Sequence, residues 1–176
     1  LPLARRTEAE LIIFPPAPYL AQVAADTRHT AIGVGAQNIF WEKSGAYTGE
    51  ISASMVRDCG ADFVLVGHSE RRHYFNESAE MVTRKARAAQ AEDLIPIICV
   101  GETLEERENG ETLDILYRDI YSSLSAVEPD DSVIIAYEPV WAIGTGLSAT
   151  PADAEAAISY IRRQVRELWG DLASRI

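Results

Sequence analysis

Glu138 closes the apolar run from Val133 to Tyr137 and is followed at once by Pro139, Val140 and Trp141. A carboxylate in surroundings that dry suits a general base working near neutral pH. A strand-end glutamate paired with an arginine is an equally open reading of the same position. His68 follows Val64-Leu65-Val66-Gly67 and precedes Ser69-Glu70-Arg71-Arg72. An imidazole at the mouth of a helical turn, facing backbone N–H groups, is held neutral and can donate a hydrogen bond. Histidines at strand ends also serve as satisfied structural residues, and that alternative stands beside the catalytic one. His29 and His73 lack comparable settings and read as structural. No two His or Cys fall at zinc-ligand spacing, so no metal site is expected. Gly144 to Ala149 approaches the spaced-glycine dinucleotide fingerprint, which requires its glycines to open a helix directly after a strand. Here Trp141-Ala142-Ile143 intervenes and the next helix starts only at Thr150-Pro151, so a glycine-hinged loop after Glu138 is the better reading.

Such residues need elements to hold them. Short apolar runs recur at Leu11 to Phe14, Ala31 to Gly35, Phe63 to Gly67, Ile95 to Gly101 and Val133 to Tyr137. Their near-continuous Ile/Val/Leu character predicts parallel strands buried on both faces. Between them lie helical patterns: Pro18 to Asp26, a helix capped by Ser52 that runs to Cys59 and stops at Gly60, and Ser78 to Glu92. In the last of these Met81, Val82, Ala86 and Ala89 form the apolar face, with Lys and Arg on the other sides. Thr103 to Glu108 and Thr112 to Leu124 form a pair broken at Asn109-Gly110. The final helix opens with a Thr150 N-cap, Pro151 and a capping-box acid at Asp153, then places Ala154, Ile158, Ile161, Val165 and Leu168 on one face. Strand and helix alternate without a composition break, which predicts βαβ crossovers and a parallel sheet in one domain, residues 1–176. Gln37 and Asn38, His68 to Arg71, Glu102 and Glu138 then all fall at or just beyond the carboxyl ends of strands, where parallel α/β folds bind ligands.

Bulk properties narrow the classes. The 176 residues carry a formal net charge of -11, which argues against nucleic acid or an anionic membrane surface as partner. It leaves a small anionic substrate open, since that needs only a local positive field. Cys59 and Cys99 make a poor disulfide framework, and buried, reduced thiols in a cytoplasmic protein are expected. No apolar run reaches membrane-spanning length, and no signal pattern is read at the N-terminus.

The motifs GAQN (35–38), GAYTGEIS (45–52), GHSERR (67–72), ICVGETLEER (98–107) and AYEPVWAIGTG (136–146), in this order, resemble those of the triose-phosphate isomerase family. The resemblance implies a parallel (β/α)8 TIM barrel, usually a homodimer, that interconverts dihydroxyacetone phosphate and glyceraldehyde 3-phosphate in glycolysis and gluconeogenesis. It implies no metal or organic cofactor. By the same resemblance Glu138 is the base and His68 the neutral electrophile. Glu70 is a supporting carboxylate, and Ser69 a neighbour that positions it. Trp141, Ile143, Thr145 and Gly146 belong to a lid whose Gly144 amide contacts phosphate, and Trp141 is expected beside Glu102 when that lid closes. The Gly45 to Glu50 loop, with Tyr47, Thr48 and Glu50, is implied to reach across a dimer.

The family pattern also includes a first strand ending in Asn-x-Lys and two late glycine-rich phosphate loops. The sequence runs from Leu1-Pro2-Leu3 to Arg175-Ile176, and its two lysines, Lys43 in a loop and Lys85 in a helix, do not match that lysine. The expectation is therefore about five of the eight βα units, an incomplete barrel with little or no isomerase activity by itself. A non-catalytic interaction protein built on an incomplete barrel is the alternative from another class; retention of Glu138, His68 and the whole lid motif counts against it.

Overall fold

The computed structural model describes residues 10–130 and 132–175. Five strands alternate with helices: β1 Leu11–Ile13, β2 Ile32–Ala36, β3 Phe63–Val66, β4 Ile95–Val100 and β5 Ile134–Tyr137. They form one sheet in the order β1-β2-β3-β4-β5, so each strand lies beside its neighbour in sequence. Leu11 pairs with Ile32 and Gly35 with Phe63, both in parallel ladders. The next steps are carried by the Ile95 amide on the Asp62 carbonyl (2.8 Å) and the Glu138 amide on the Val100 carbonyl (2.8 Å). Parallel neighbours in strict sequence order, with a helix in each crossover, are what the Ile/Val/Leu runs predict.

The chain divides into two compact units. The first holds residues 10–66 and 84–97, with β1, β2, β3 and the opening of β4. Its helices are α1 Leu20–Thr27 and α2 Ala53–Asp58. Ser52 caps α2 by accepting the Met55 amide. The helix expected from Pro18 is a 3₁₀ turn over Ala17–Tyr19 before α1, closed by Tyr19 N–H on the Pro16 carbonyl. Pro15, Pro16 and Pro18 lack the N–H groups that an α-helical ladder needs there. Lys85 overturns its expected place on a wet side of its helix. It is only 2% exposed, and its Nζ donates to Asn38 Oδ1 at 2.7 Å. Cys59 is half-buried, against an expectation of full burial, because it sits at the C-cap of α2, past the buried face of Ala53 and Val56.

The second unit holds residues 67–83 and 98–175, with the end of β4 and all of β5. Helix α3, Ser69–Tyr74, is a complete element, where the sequence reading had only a helical turn. Helix α4 spans Ala79–Gln90, starting here, with Val82, Ala86 and Ala89 buried; its expected fourth apolar residue, Met81, is only half-buried. Next come α5 Leu104–Glu108, α6 Thr112–Leu124 and α7 Pro151–Trp169. Leu116, Ile120 and Leu124 of α6 are buried at one-turn spacing. On α7 the buried face is Ala157, Ile161 and Val165. Ile158, expected on that face, is 42% exposed and borders a groove of about 300 Å³ with Ile134, Ile135 and Tyr137 of β5. Ile161 and Val165 lie on both the expected and the observed face, so the buried stripe is turned by only about 20°, a fraction of the 100° between successive residues.

Candidate active site

The site is built from the residues that follow β3, β4 and β5, all of which lie in the second unit. After β3, Gly67 takes a left-handed φ of 74°, and the next residue, His68, becomes the N-cap of α3. Both faces of the Gly67 peptide are gripped. Its N–H donates to buried Glu77 (Oε1, 3.1 Å), and its carbonyl accepts from Arg72 Nε (2.7 Å). Arg72 also reaches the Cys99 carbonyl at 3.1 Å, and Arg71 Nε donates to Glu77 Oε2 at 2.7 Å. With the backbone so held, the Glu70 amide donates to His68 Nδ1 at 3.3 Å. Nδ1 thus accepts from backbone, which leaves Nε2 as the ring nitrogen that faces Glu138.

That Nε2 stands 2.8 Å from Glu138 Oε1. Glu138 follows β5, and its side chain is 13% exposed. Its carboxylate accepts two hydrogen bonds, from the Ser69 hydroxyl (Oε1, 2.7 Å) and from the Ser69 amide (Oε2, 3.0 Å), with His68 Nε2 in close contact beside them. The backbone of Glu138 is fixed as well. A Cβ on Gly101, which follows β4, would lie well inside contact distance of the Glu138 carbonyl oxygen, so only glycine permits that approach. A cavity of about 330 Å³ opens beside the pair, lined by Ser69, Arg72, Cys99, Gly101 and Glu138 among others. Burial pushes the Cys99 thiol up to about 12, and the charge of Glu138 adds to it.

Beyond Glu138, a 3₁₀ turn over Val140–Ala142 carries Trp141. Its Nε1 donates to Glu102 Oε1 at 3.0 Å, and Glu102, fully buried, also accepts the Tyr137 hydroxyl at 3.0 Å. An indole N–H taken out of water requires an acceptor of this kind. Desolvation, then the charge of Glu102, raises Tyr137 to about 12. Past Trp141 the chain is loosely held. Gly144 and Gly146 have φ of 69° and 80°, Ile143 and Leu147 are exposed, and Thr145 Oγ1 donates back to the Trp141 carbonyl at 2.8 Å.

Two of the sequence assignments change. Ser69 binds Glu138, not Glu70, because the first amide and hydroxyl of α3 both point to the strand-end carboxylate. Glu70 is 63% exposed, with Oε2 3.9 Å from His68 Nδ1, beyond hydrogen-bond reach. Glu77, Arg72 and Arg107 were not singled out in the sequence. Arg72 and Arg107 close the quoted motifs GHSERR and ICVGETLEER, and that was the available signal. The Gly45 to Glu50 loop lies in the first unit, where Tyr47 packs on Phe40 (ring centroids 4.6 Å) and the Glu50 amide closes a turn on the Tyr47 carbonyl. Lys43 pairs there with Glu92 at 2.8 Å. Among the described residues no cluster of three His, Cys, Asp or Glu side chains could hold a metal ion, and no helix is long and apolar enough to cross a membrane.

A parallel α/β sheet with a carboxylate and an imidazole 2.8 Å apart just past its strand ends is built as the parallel α/β enzymes are. The family model for triosephosphate isomerase matches residues 2–176. The triosephosphate isomerase of Caldanaerobacter subterraneus is 49% identical over 172 residues, covering 97% of this chain and 69% of that protein. Its counterpart from Moorella thermoacetica is 46% identical, covering 99% of this chain and 71% of that one. The crystal structure of triosephosphate isomerase from Bartonella henselae superposes with a TM-score of 0.88 at 38% identity, covering 99% of this chain and 71% of that chain. The chain belongs to the triosephosphate isomerase family, an isomerase family built on the (β/α) barrel.

Proposed function

We propose that the chain, with little or no turnover by itself, supplies the base and the electrophile for interconverting dihydroxyacetone phosphate and D-glyceraldehyde 3-phosphate in glycolysis and gluconeogenesis, with Glu138 moving a proton between the two substrate carbons through an enediolate. The observation that carries this reading is the 2.8 Å contact between His68 Nε2 and Glu138 Oε1. Both oxygens of the base are engaged, Oε1 and Oε2 by Ser69 and Oε1 also by the close approach of His68 Nε2. Substrate carbonyl oxygen takes Glu138's place on the Nε2 hydrogen, which frees the carboxylate to face carbon. Glu138 removes a proton from C1 of the ketose, the electron pair moves onto the carbonyl oxygen, and Nε2–H stabilises the developing charge. The C1 hydroxyl proton passes to the C2 oxygen by way of His68 Nε2, and return of the carbon-bound proton to C2 then gives the aldose. Trp141, Ile143, Thr145 and Gly146 act as the lid, with the Gly144 amide on phosphate; the open backbone at Gly144 and Gly146 supports this. Assembly as a homodimer through Tyr47, Thr48 and Glu50, and a cytoplasmic setting, belong to the same reading.

The test joins this chain to the residues of the Caldanaerobacter protein that lie outside the match and follows isomerase turnover. Replacing Glu138 by Ala is expected to lower turnover by at least about 10²–10⁴-fold, the range for positioned acid–base groups, and His68→Gln by a comparable factor. Turnover of the Glu138→Ala protein within a few-fold of the parent overturns the assignment.

A further inference from the structure

The segment between Trp141 and Thr150 is free in the middle and anchored at both ends, and the anchors converge on one side chain. Arg107 sits near the end of α5, a short helix made rigid by a reciprocal cap: Thr103 Oγ1 accepts the Glu106 amide, and Glu106 Oε2 accepts the Thr103 amide. At the start of the segment the Arg107 guanidinium lies over the Trp141 ring, 4.4 Å from its centroid. Its Nη1 is 3.5 Å from Glu102 Oε1, the oxygen that accepts the Trp141 indole N–H. At the far end Nη2 donates to Asp153 Oδ1 at 2.6 Å. The other oxygen of Asp153 accepts the Thr150 amide (2.9 Å) and hydroxyl (2.6 Å), so this carboxylate holds the first residue after the segment.

We propose that Arg107 is a positioning residue for the 141–150 segment, a single post to which both of its hinges are tied. The inference rests on the reading of that segment as a lid. Three contacts in three directions, one to a ring face and two to carboxylates, use the planar fork of arginine. A lysine ammonium cannot make them together. The post fixes the two hinges relative to α5, so the lid pivots between fixed ends and its backbone amides return to one place at each closure. Losing it changes lid motion more than fold stability, because Arg107 is part-exposed and outside the apolar core.

Hydrogen exchange of the full 176-residue chain tests this, comparing peptides over residues 141–143, 150–153 and β4. In the parent, 141–150 should exchange faster than β4. Arg107→Met should speed exchange at both ends together by roughly tenfold, the size expected for one cation–π contact plus one charged hydrogen bond, and leave β4 unchanged. Arg107→Lys should resemble Arg107→Met. Asp153→Asn should loosen 150–153 and leave 141–143 near the parent, since Trp141 keeps both Glu102 and Arg107. A mobile parent segment with unchanged exchange in Arg107→Met refutes the post and leaves the lid reading standing. Uniform acceleration through β4 and α7 marks a merely stabilising residue and refutes it too. A parent segment as protected as β4 overturns the lid reading and the post with it. Should Arg107→Met not fold, the contrast between Arg107→Lys and Asp153→Asn decides by the same criteria.

Discussion

Glu138 is held from one side. Two donors from Ser69, its amide and its hydroxyl, meet the two carboxyl oxygens, and His68 Nε2 stands 2.8 Å from Oε1. Cys99 lies in the same cavity wall. Burial and the neighbouring carboxylate hold its thiol near 12, so it stays protonated and unreactive at neutral pH. Iodoacetamide at about pH 8, close to the ordinary cysteine pKa, should label Cys59 and spare Cys99 until denaturant is added. Peptide mapping reads the order, and native labelling of Cys99 as fast as Cys59 would contradict the buried assignment. Glu138 and His68 were legible in the sequence because residue type, strand end and flanking motif agree. The partner of Ser69 was not, since nothing in a linear sequence says which of two nearby carboxylates an N-terminal hydroxyl will meet.

Helices in this chain are set by their caps as much as by their apolar faces. The α7 cap is complete: Thr150 accepts the Asp153 amide, Asp153 accepts the Thr150 amide, and Pro151 occupies the first turn. Thr150→Ala should therefore lower stability by about 1 kcal/mol in urea denaturation, with Thr150→Ser nearly neutral. Hydrogen bonds from the Thr150 hydroxyl and amide, then Arg107, lower the Asp153 carboxyl from 3.8 to about 2. A carboxyl with a depressed folded pKa contributes stability that is present above its unfolded value and lost as pH falls through the folded one. The stability gap between the parent and Asp153→Asn should be constant above about pH 4 and close between 3.8 and about 2. A gap unchanged at pH 2 would remove Asp153 as its source. This cap was written plainly in Thr150-Pro151-Ala152-Asp153, because capping is local. Which way α7 faces was not: Ile158 and Ile161 have equal claims by periodicity, and only the packing against β5 and α6 rotates 157, 161 and 165 inward. Lys85 misled for the same reason, since its burial depends on Asn38, 47 positions away.

For the molecule as a whole, strand order followed from the alternation of runs and from the motifs together; pattern alone leaves a barrel and an open sheet equally available. β4 supplies residues to both compact units, Ile95 to Ile97 in one and Ile98 to Val100 in the other. Ile98 of β4 is fully buried, so a cavity there is expected to be costly. Ile98→Ala should lose about 2–5 kcal/mol, read as a lower urea midpoint with unchanged slope. A loss below about 1 kcal/mol would mean that this site collapses around the smaller side chain. Gly101, the next residue after β4, has a different kind of importance. Its missing side chain is what lets the Glu138 carbonyl come so near. The placement of the base is thus encoded in an absence on the adjacent strand. In a saturation library selected for turnover, codon 101 should be the most intolerant position without a side chain in the chemistry. Alanine there should fail as badly as tryptophan, whereas ordinary core positions grade their substitutions by size.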